Sequence, residues 1–474
     1  MGDGRYLIIQ IYGKHSNDKY KEIEYEIEGK SYRSRLSSGA LLQHYGNADL
    51  LFLIPESLFI NDVKNFNEFE DFMRENYIEV YKNAIINQLG MEKINININK
   101  IYSIGFYDNS GNQENKITLS VEFRHNIDGI KLKLFRDIFK IINNYDNIII
   151  DLSTGLNYYI PIILDVIRNI ITYQKLSHYI DRNTFDKKFN VTIVPPVGNL
   201  KTTIHFETID AVAYFDLIDV KKFELSLSNE TNMNKIIETK KKFEGEIEKL
   251  NKIINTTKIG LNALKNNTPL VFYDQDILDI DEDELNLNSD QILEDYVFKI
   301  IDYLTEYEID IKNNHLIVSR PKIDGLKIMR FIMAIGIYES IRKIRYDIQN
   351  DFKNVWINEK NAATIKDIED RFTKIYQKLN YNVNIKFLER DLREIKSLEI
   401  DNGYKLISDL KYGNNTNNNL VNDIKYSDIK RNFFAHSGFE YKITQVRKDN
   451  DKIFIMYKNN EKKQEIRSWL LNQS

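Results

Sequence analysis

The sequence predicts an α/β amino-terminal half followed by an all-α carboxy-terminal half. Three observations carry that prediction. Over the first two hundred positions, short near-continuous apolar runs alternate with amphipathic stretches, the pattern of a parallel sheet covered on both faces. An acidic stretch at 274–290 interrupts it. Beyond that point the apolar spacing is almost wholly helical. At 474 residues the chain exceeds one ordinary core, so two or three domains are expected.

Residues 6–12 (YLIIQIY) read as a buried strand ending at Gly13, and 22–33 as a hairpin turning at Gly29-Lys30. A short helix at 38–45, a strand at 49–54 and a long amphipathic helix at 67–89 follow. Then come a strand at 101–107, a helix at 131–144, the strand 147–152 (NIIIDL), a helix at 156–176 and a closing strand at 191–194. A two-stranded stretch at 202–217 precedes a charged helix at 235–250. The acids of 274–290 read as a solvated linker marking a boundary. Helices are expected at 291–307, 325–352, 364–379 and 423–434, with a polar loop at 414–419. The chain closes with a hairpin over 439–458 around 448–451 and a helix at 462–471. No repeat of solenoid period occurs.

Composition narrows the function. Hydrophobic content of 42% and charged content of 29% describe a globular chain, and the longest apolar run, 331–338, is too short to span a bilayer. The amino terminus has no signal-peptide pattern, so a cytoplasmic location is the default. There is no cysteine, which excludes thiolate ligands, thiol nucleophiles and disulfides. The seven His show no metal-binding spacing, so neither a metal nor a cofactor is expected. A net charge of −4 means that any nucleic-acid contact must come from a local patch. One such patch is 439–474, where Lys442, Arg447, Lys448, Lys452, Lys458, Lys462, Lys463 and Arg467 outnumber the acids. Tyr441, Phe454, Tyr457 and Trp469 accompany them and could stack on unpaired bases.

Two motifs carry chemistry. The first, Asp151-Leu152-Ser153-Thr154-Gly155-Leu156-Asn157, lies where a strand hands over to a helix, at the carboxyl edge where open sheets bind ligands. A helix start attracts phosphate through its unpaired N–H groups. Gly155 permits close backbone approach, Ser153 and Thr154 add hydroxyls, and Asn157 can read a base or ribose edge. A helix cap by Asp151 and Ser153 is the simpler reading of the same residues. The loop Gly13-Lys14-His15-Ser16-Asn17 follows the first strand at the same edge, with Lys14 as a charge for phosphate. No Gly-x-Gly-x-x-Gly or Walker pattern is present, which disfavours a dinucleotide cofactor or NTP hydrolysis.

The second motif is Arg431-Asn432-Phe433-Phe434-Ala435-His436, followed by Ser437 and Gly438. Arg binds phosphate through a planar fork, and His moves protons near neutral pH. Five residues along a helix turn about 140°, so the two share no single face unless the chain departs from the helix. Gly438 is a stop signal that places His436 in the last turn or just past it.

Arg431-Asn432-x-x-Ala435-His436 resembles the active-site motif of HEPN ribonucleases, and the 151–157 turn resembles the ligand loop of CARF domains, Rossmann-like sensors of cyclic oligoadenylates. A CARF-like half before a HEPN-like half is the layout of the ancillary ribonucleases of type III CRISPR systems. The resemblance implies a sensor at 1–217, a helical linker region with the acidic segment at 218–320, and a helical ribonuclease domain with a hairpin at 321–474. No winged-helix unit separates the halves, unlike in CARF transcription regulators. It implies metal-independent cleavage of single-stranded RNA to a 2′,3′-cyclic phosphate, with His436 moving the proton, Arg431 clamping the phosphoryl oxygens and Asn432 orienting either. Gly13, Lys14, Ser16, Ser153, Thr154, Gly155 and Asn157 would hold a cyclic oligoadenylate, cyclic tetra-adenylate favoured, across the axis of a homodimer or higher oligomer. The competing readings are a HEPN toxin with another sensor ligand, and a nucleotide-sensing regulator without nuclease activity.

Overall fold

The structure is a computed structural model, and it describes residues 4–13, 22–61, 63, 65–73, 78–89, 95–108, 120–153, 158–181, 186–195, 201–211, 220, 222–223, 233–312, 315–356, 361–413 and 426–472. Strand β1 (Tyr6–Ile11) leads to a hairpin of β2 (Ile23–Ile27) and β3 (Lys30–Ser34), then α1 (Ser37–Tyr45) and β4 (Ala48–Pro55). Next come α2 (Phe66–Met73), α3 (Ile78–Leu89), β5 (Ile96–Ile101), β6 (Gly105–Asp108) and β7 (Ser120–Arg124). This half ends with α4 (Ile127–Ile142), β8 (Asn147–Asp151), α5 (Tyr159–Ser177), β9 (Lys188–Ile193), β10 (Lys201–Thr203) and β11 (His205–Thr208).

Leu7, Ile8 and Ile9 have no polar side to give to water, and β1 accordingly lies inside a six-stranded sheet of order β11-β9-β8-β1-β4-β5. All neighbours are parallel except β11 on β9. The chain runs from β1 to β4 and β5 on one side, then returns to β8 and β9 on the other. The carboxyl ends of β1 and β8 therefore flank a topological switch point, with Gln10 paired to Asp151. The hairpin turn falls at Glu28-Gly29, both at positive φ (48° and 78°), one residue before the position expected from sequence. The strand expected at 101–107 is two strands: Ile101 ends β5, and Gly105, at φ 106°, starts β6 in a different sheet.

The carboxy-terminal half holds α6 (Met233–Lys242), α7 (Glu244–Lys265), the short helices α8 (Gln275–Leu278), α9 (Glu282–Asn286) and α10 (Ser289–Ile292), and α11 (Phe298–Leu304). Strands β12 (Glu308–Lys312) and β13 (His315–Ser319) precede the long α12 (Gly325–Trp356), β14 (Ala363–Thr364), α13 (Ile365–Leu379) and α14 (Asn382–Lys396). Then follow β15 (Lys405–Leu406), α15 (Ile407–Tyr412), α16 (Tyr426–Ala435), β16 (Thr444–Asp449), β17 (Lys452–Tyr457) and α17 (Asn460–Leu471). The stretch 218–320 is thus not helical throughout, since β12 and β13 join β7 and β6 in a four-stranded sheet. The expected hairpin near 448–451 is β16–β17, flanked by β15 and β14.

The acidic segment is not a solvated linker. Asp274 is fully buried and caps α8, Asp281 and Asn288 each close a capping box, and Asp290 accepts from Tyr173 Oη at 3.0 Å. Its charges meet the carboxy-terminal cations: Lys463 pairs with Asp274 (3.0 Å) and Asp276 (2.8 Å), and Arg467 with Asp279 (2.8 Å). Burial pushes the Asp274 carboxyl up, and Lys463 beside it pulls it back. Helix α12 packs between the halves. Its Gly336 lies against Tyr173 and Leu176 of α5, and its Ile341 fills the space opposite Gly260 of α7. One continuous apolar core consequently runs from Leu7 to Leu470. Among the described residues, no helix is long and apolar enough to cross a membrane.

Candidate functional site

At the sheet edge, Gly13 and Ser153 stand at the ends of adjacent strands. Beneath them lies a closed polar network. Gln10 donates to Ser153 Oγ (3.3 Å) and Ser37 Oγ (3.4 Å), and Ser38 donates to Gln10 Oε1 (2.6 Å). Asp151 accepts from Ser37 Oγ (2.5 Å), Ser153 N (3.0 Å) and Thr192 Oγ1 (3.2 Å). Burial raises the Asp151 carboxyl, against the pull of those hydroxyls. These groups shape the floor of the edge. Lys14, Ser16, Thr154, Gly155 and Asn157 lie outside the described residues. Gln10, Ser37, Ser38 and Thr192 were not singled out by sequence, although a Gln inside YLIIQI was the available signal.

The second site is the closed end of α16. Ala435 ends the helix, and His436 N donates to Asn432 O (3.0 Å). Ser437 and Gly438 then take left-handed conformations, φ 51° and 80°, and Gly438 N reaches back to Phe433 O (2.9 Å). Gly438 is required there, since a Cβ would lie 3.0 Å from Thr268 Cβ. A serine in the left-handed region costs about 1–2 kcal/mol. Two bonds offset this: Ser437 Oγ donates to Asp391 Oδ2 (2.7 Å) and accepts from Asn267 Nδ2 (2.8 Å). Phe433 is wholly buried against Tyr457 and Trp469, which fixes the helix end.

The turn brings three groups together. His436 is one-third exposed, its ring 5.2 Å from that of Tyr441, and its Nδ1 is buried 3.9 Å from Asp391 Oδ1. That is an ion-pair distance, longer than a hydrogen bond. Burial tends to raise the Asp391 carboxyl, but contacts with His436, Ser437 and Arg390 hold it below the usual range. Arg390 donates to Asp391 Oδ1 through Nε (2.9 Å) and Nη2 (2.8 Å), and to Ala435 O (3.3 Å). Arg431 is exposed one turn earlier, and Asn432 is half-buried. Tyr441 donates to Glu394 (3.0 Å) beneath the Lys411 ammonium, 4.0 Å from its ring centre. Asp391 and Arg390 lie on α14, a helix that the sequence reading did not place, and no turn or motif signal marks them. Phe454, Tyr457 and Trp469 are core rather than stacking platforms. A cleft of about 390 Å³ between α5, α12 and α13 is lined by none of these residues.

Family comparison matches residues 7–194 to the CARF domain of the CRISPR system endoribonuclease Csx1. It matches residues 381–461, from the start of α14 into α17, to the HEPN domain of the same enzyme. No curated protein matches the chain. The first match contains the β1–β8 edge, and the second contains Asp391, the whole Arg431–His436 turn and Tyr441. The chain therefore belongs to the CARF–HEPN ribonucleases of CRISPR systems, with an amino-terminal nucleotide-sensing domain and a carboxy-terminal RNA-cleaving domain.

Proposed function

We propose that the protein is a single-stranded RNA endoribonuclease of type III CRISPR defence, switched on by a cyclic oligoadenylate at its amino-terminal domain. The observation that carries this reading is the closed end of α16. There an exposed guanidinium, Arg431, precedes a partly exposed imidazole, His436, inside the HEPN match. His436 takes the ribose 2′-hydroxyl proton as that oxygen attacks phosphorus. Such proton transfer typically contributes about 10²–10⁴-fold. Arg431 offsets charge growing on the phosphoryl oxygens, and Asn432 orients the phosphate. The products are a 2′,3′-cyclic phosphate and a 5′-hydroxyl, with no metal involved.

One Arg–His pair lacks a second proton carrier, and a homodimer facing across a twofold axis supplies it. Val383 (62% exposed) and Phe387 (46%), one turn apart on α14 beside Arg390, give an apolar face suited to that second copy. The same axis joins two loops containing Thr154, Gly155 and Asn157, with Gly13, Lys14, Ser16 and Ser153 beside them, around one ring-shaped ligand, cyclic tetra-adenylate by preference. In this reading 1–217 senses, 218–320 transmits and 321–474 cuts. The ligand must bind the active arrangement more tightly than the resting one.

The test is cleavage of end-labelled single-stranded RNA with cyclic tri-, tetra- or hexa-adenylate in excess EDTA, followed by analysis of the product ends. Cutting that depends on one ring size, persists in EDTA and leaves cyclic phosphates supports the proposal. Equal cutting without ligand removes the switch, and cutting that needs Mg²⁺ removes the metal-free chemistry.

A further inference from the structure

We propose that Asp391 is the positioning residue of the ribonuclease site, holding His436 with its proton on Nδ1 so that Nε2 is free to act. The inference rests on the ribonuclease reading above and adds a residue to it. Burying a carboxylate is costly unless its lone pairs are met, and Asp391 is 3% exposed. Its Oδ2 is taken by Ser437, while its Oδ1 receives Arg390 and faces His436 Nδ1. That imidazole nitrogen is buried and has no hydrogen-bond partner among the described residues, so the ring meets substrate through its other atoms. A buried ring nitrogen facing a carboxylate carries the proton, and the opposite nitrogen is left as acceptor.

The carboxylate does more than cap the chain. A neutral acceptor would satisfy Ser437 equally well, and Asn267, just past the end of α7, already brackets the same hydroxyl as a donor. What only the charge provides is stabilisation of the imidazolium formed as Nε2 accepts the 2′-hydroxyl proton. In that step the O2′–P bond forms and the P–O5′ bond breaks. The departing 5′-oxygen takes a proton from the imidazolium contributed by the second copy. Glu394 and Glu440 also reach His436 electrostatically, but Glu394 is tied to Lys411 and Tyr441, and Glu440 accepts from Lys442 N (2.7 Å). Asp391 is the carboxylate aimed at the ring nitrogen.

The experiment compares wild type with Asp391→Asn, Asp391→Glu and Ser437→Ala, using single-stranded RNA under the activating condition found for wild type. Steady-state kinetics and ¹⁵N spectra of histidine-labelled protein are recorded, the His436 signal being assigned by its loss in His436→Ala. Asp391→Asn is expected to lower kcat about 100-fold or more with KM within about twofold, and to move the His436 proton from Nδ1 towards Nε2. Asp391→Glu is expected to keep the Nδ1–H form and recover part of kcat. Ser437→Ala, which removes the cap bond but leaves the carboxylate, is expected to lose far less kcat than Asp391→Asn. The proposal is overturned if Asp391→Asn cuts within about threefold of wild type, if it slows with the Nδ1–H form intact, or if Ser437→Ala matches its loss. If His436→Ala cuts like wild type, the ribonuclease reading itself fails, and that outcome is distinct from all of these.

Discussion

Asp151 illustrates how far a single residue can be read from sequence. Its place at a strand end was legible, and so was the Ser153 beside it. Its burial against Ser37 and Thr192 was not, because those partners lie 114 and 41 residues away. Its raised carboxyl has a signed consequence. The folded pKa lies above the unfolded value near 3.9. Stability from this group is therefore full below about pH 4 and is lost as pH rises through the folded pKa. Asp151→Asn removes that loss, so its melting temperature should gain on wild type from pH 4 to pH 8, as followed by thermal melts. A constant gap would show the carboxyl to be unperturbed. Arg431 and His436 were visible as a motif, whereas Asp391 was one acid among several on a helix. From sequence the acidic segment reads as a solvated linker and the cations near 463–467 as part of a nucleic-acid patch, yet they neutralise each other across nearly two hundred residues.

At the scale of elements, periodicity located β1, β4, β8 and β9 and the helices α4, α5, α12 and α13, since apolar runs and 3.6-residue spacing are local properties. It placed β5 five residues late and left α14 and the second half of α7 without a helix. Strands β12 and β13 escaped although β12 alternates charge with Ile, because β13 owes its place to β7, 195 residues earlier. Helix α12 shows what binds the halves. Opposite Gly260, a Cβ would lie 2.5 Å from Ile341 Cγ2, and a buried β-branched side chain in a helix has little rotamer freedom to yield. Gly260→Ala is expected to destabilise by about 1–3 kcal/mol through overpacking. The double variant Gly260→Ala/Ile341→Ala should lose less than the sum of the two single losses in chemical denaturation. Strict additivity would place the contact elsewhere.

For the whole molecule, the sheet edge and the closed end of α16 are linked by packed structure. Arg320, between β13 and α12, makes a buried two-pronged contact with Glu56 at the carboxyl end of β4 (2.6 and 3.1 Å) and stacks on Tyr102. Asp181, past α5, pairs with Lys343 of α12 (2.7 Å) and with Lys378 of α13. Arg320→Ala strands a buried carboxylate and should cost about 3–5 kcal/mol in chemical denaturation. A loss below about 1 kcal/mol would mean that Glu56 finds water instead. These contacts tie the amino-terminal domain to α12 and α13, while Asn267, just past α7, and Asp391 of α14 hold Ser437 from two sides. The central claim is that RNA is cut at Arg431 and His436. It is tested most directly by the single-turnover cleavage rate of His436→Ala and Arg431→Ala against wild type, with each variant's melting temperature as the folding control. A fall of about 10²-fold or more for each variant, with melting unchanged, is the predicted result. Cleavage by either variant at the wild-type rate would contradict the account.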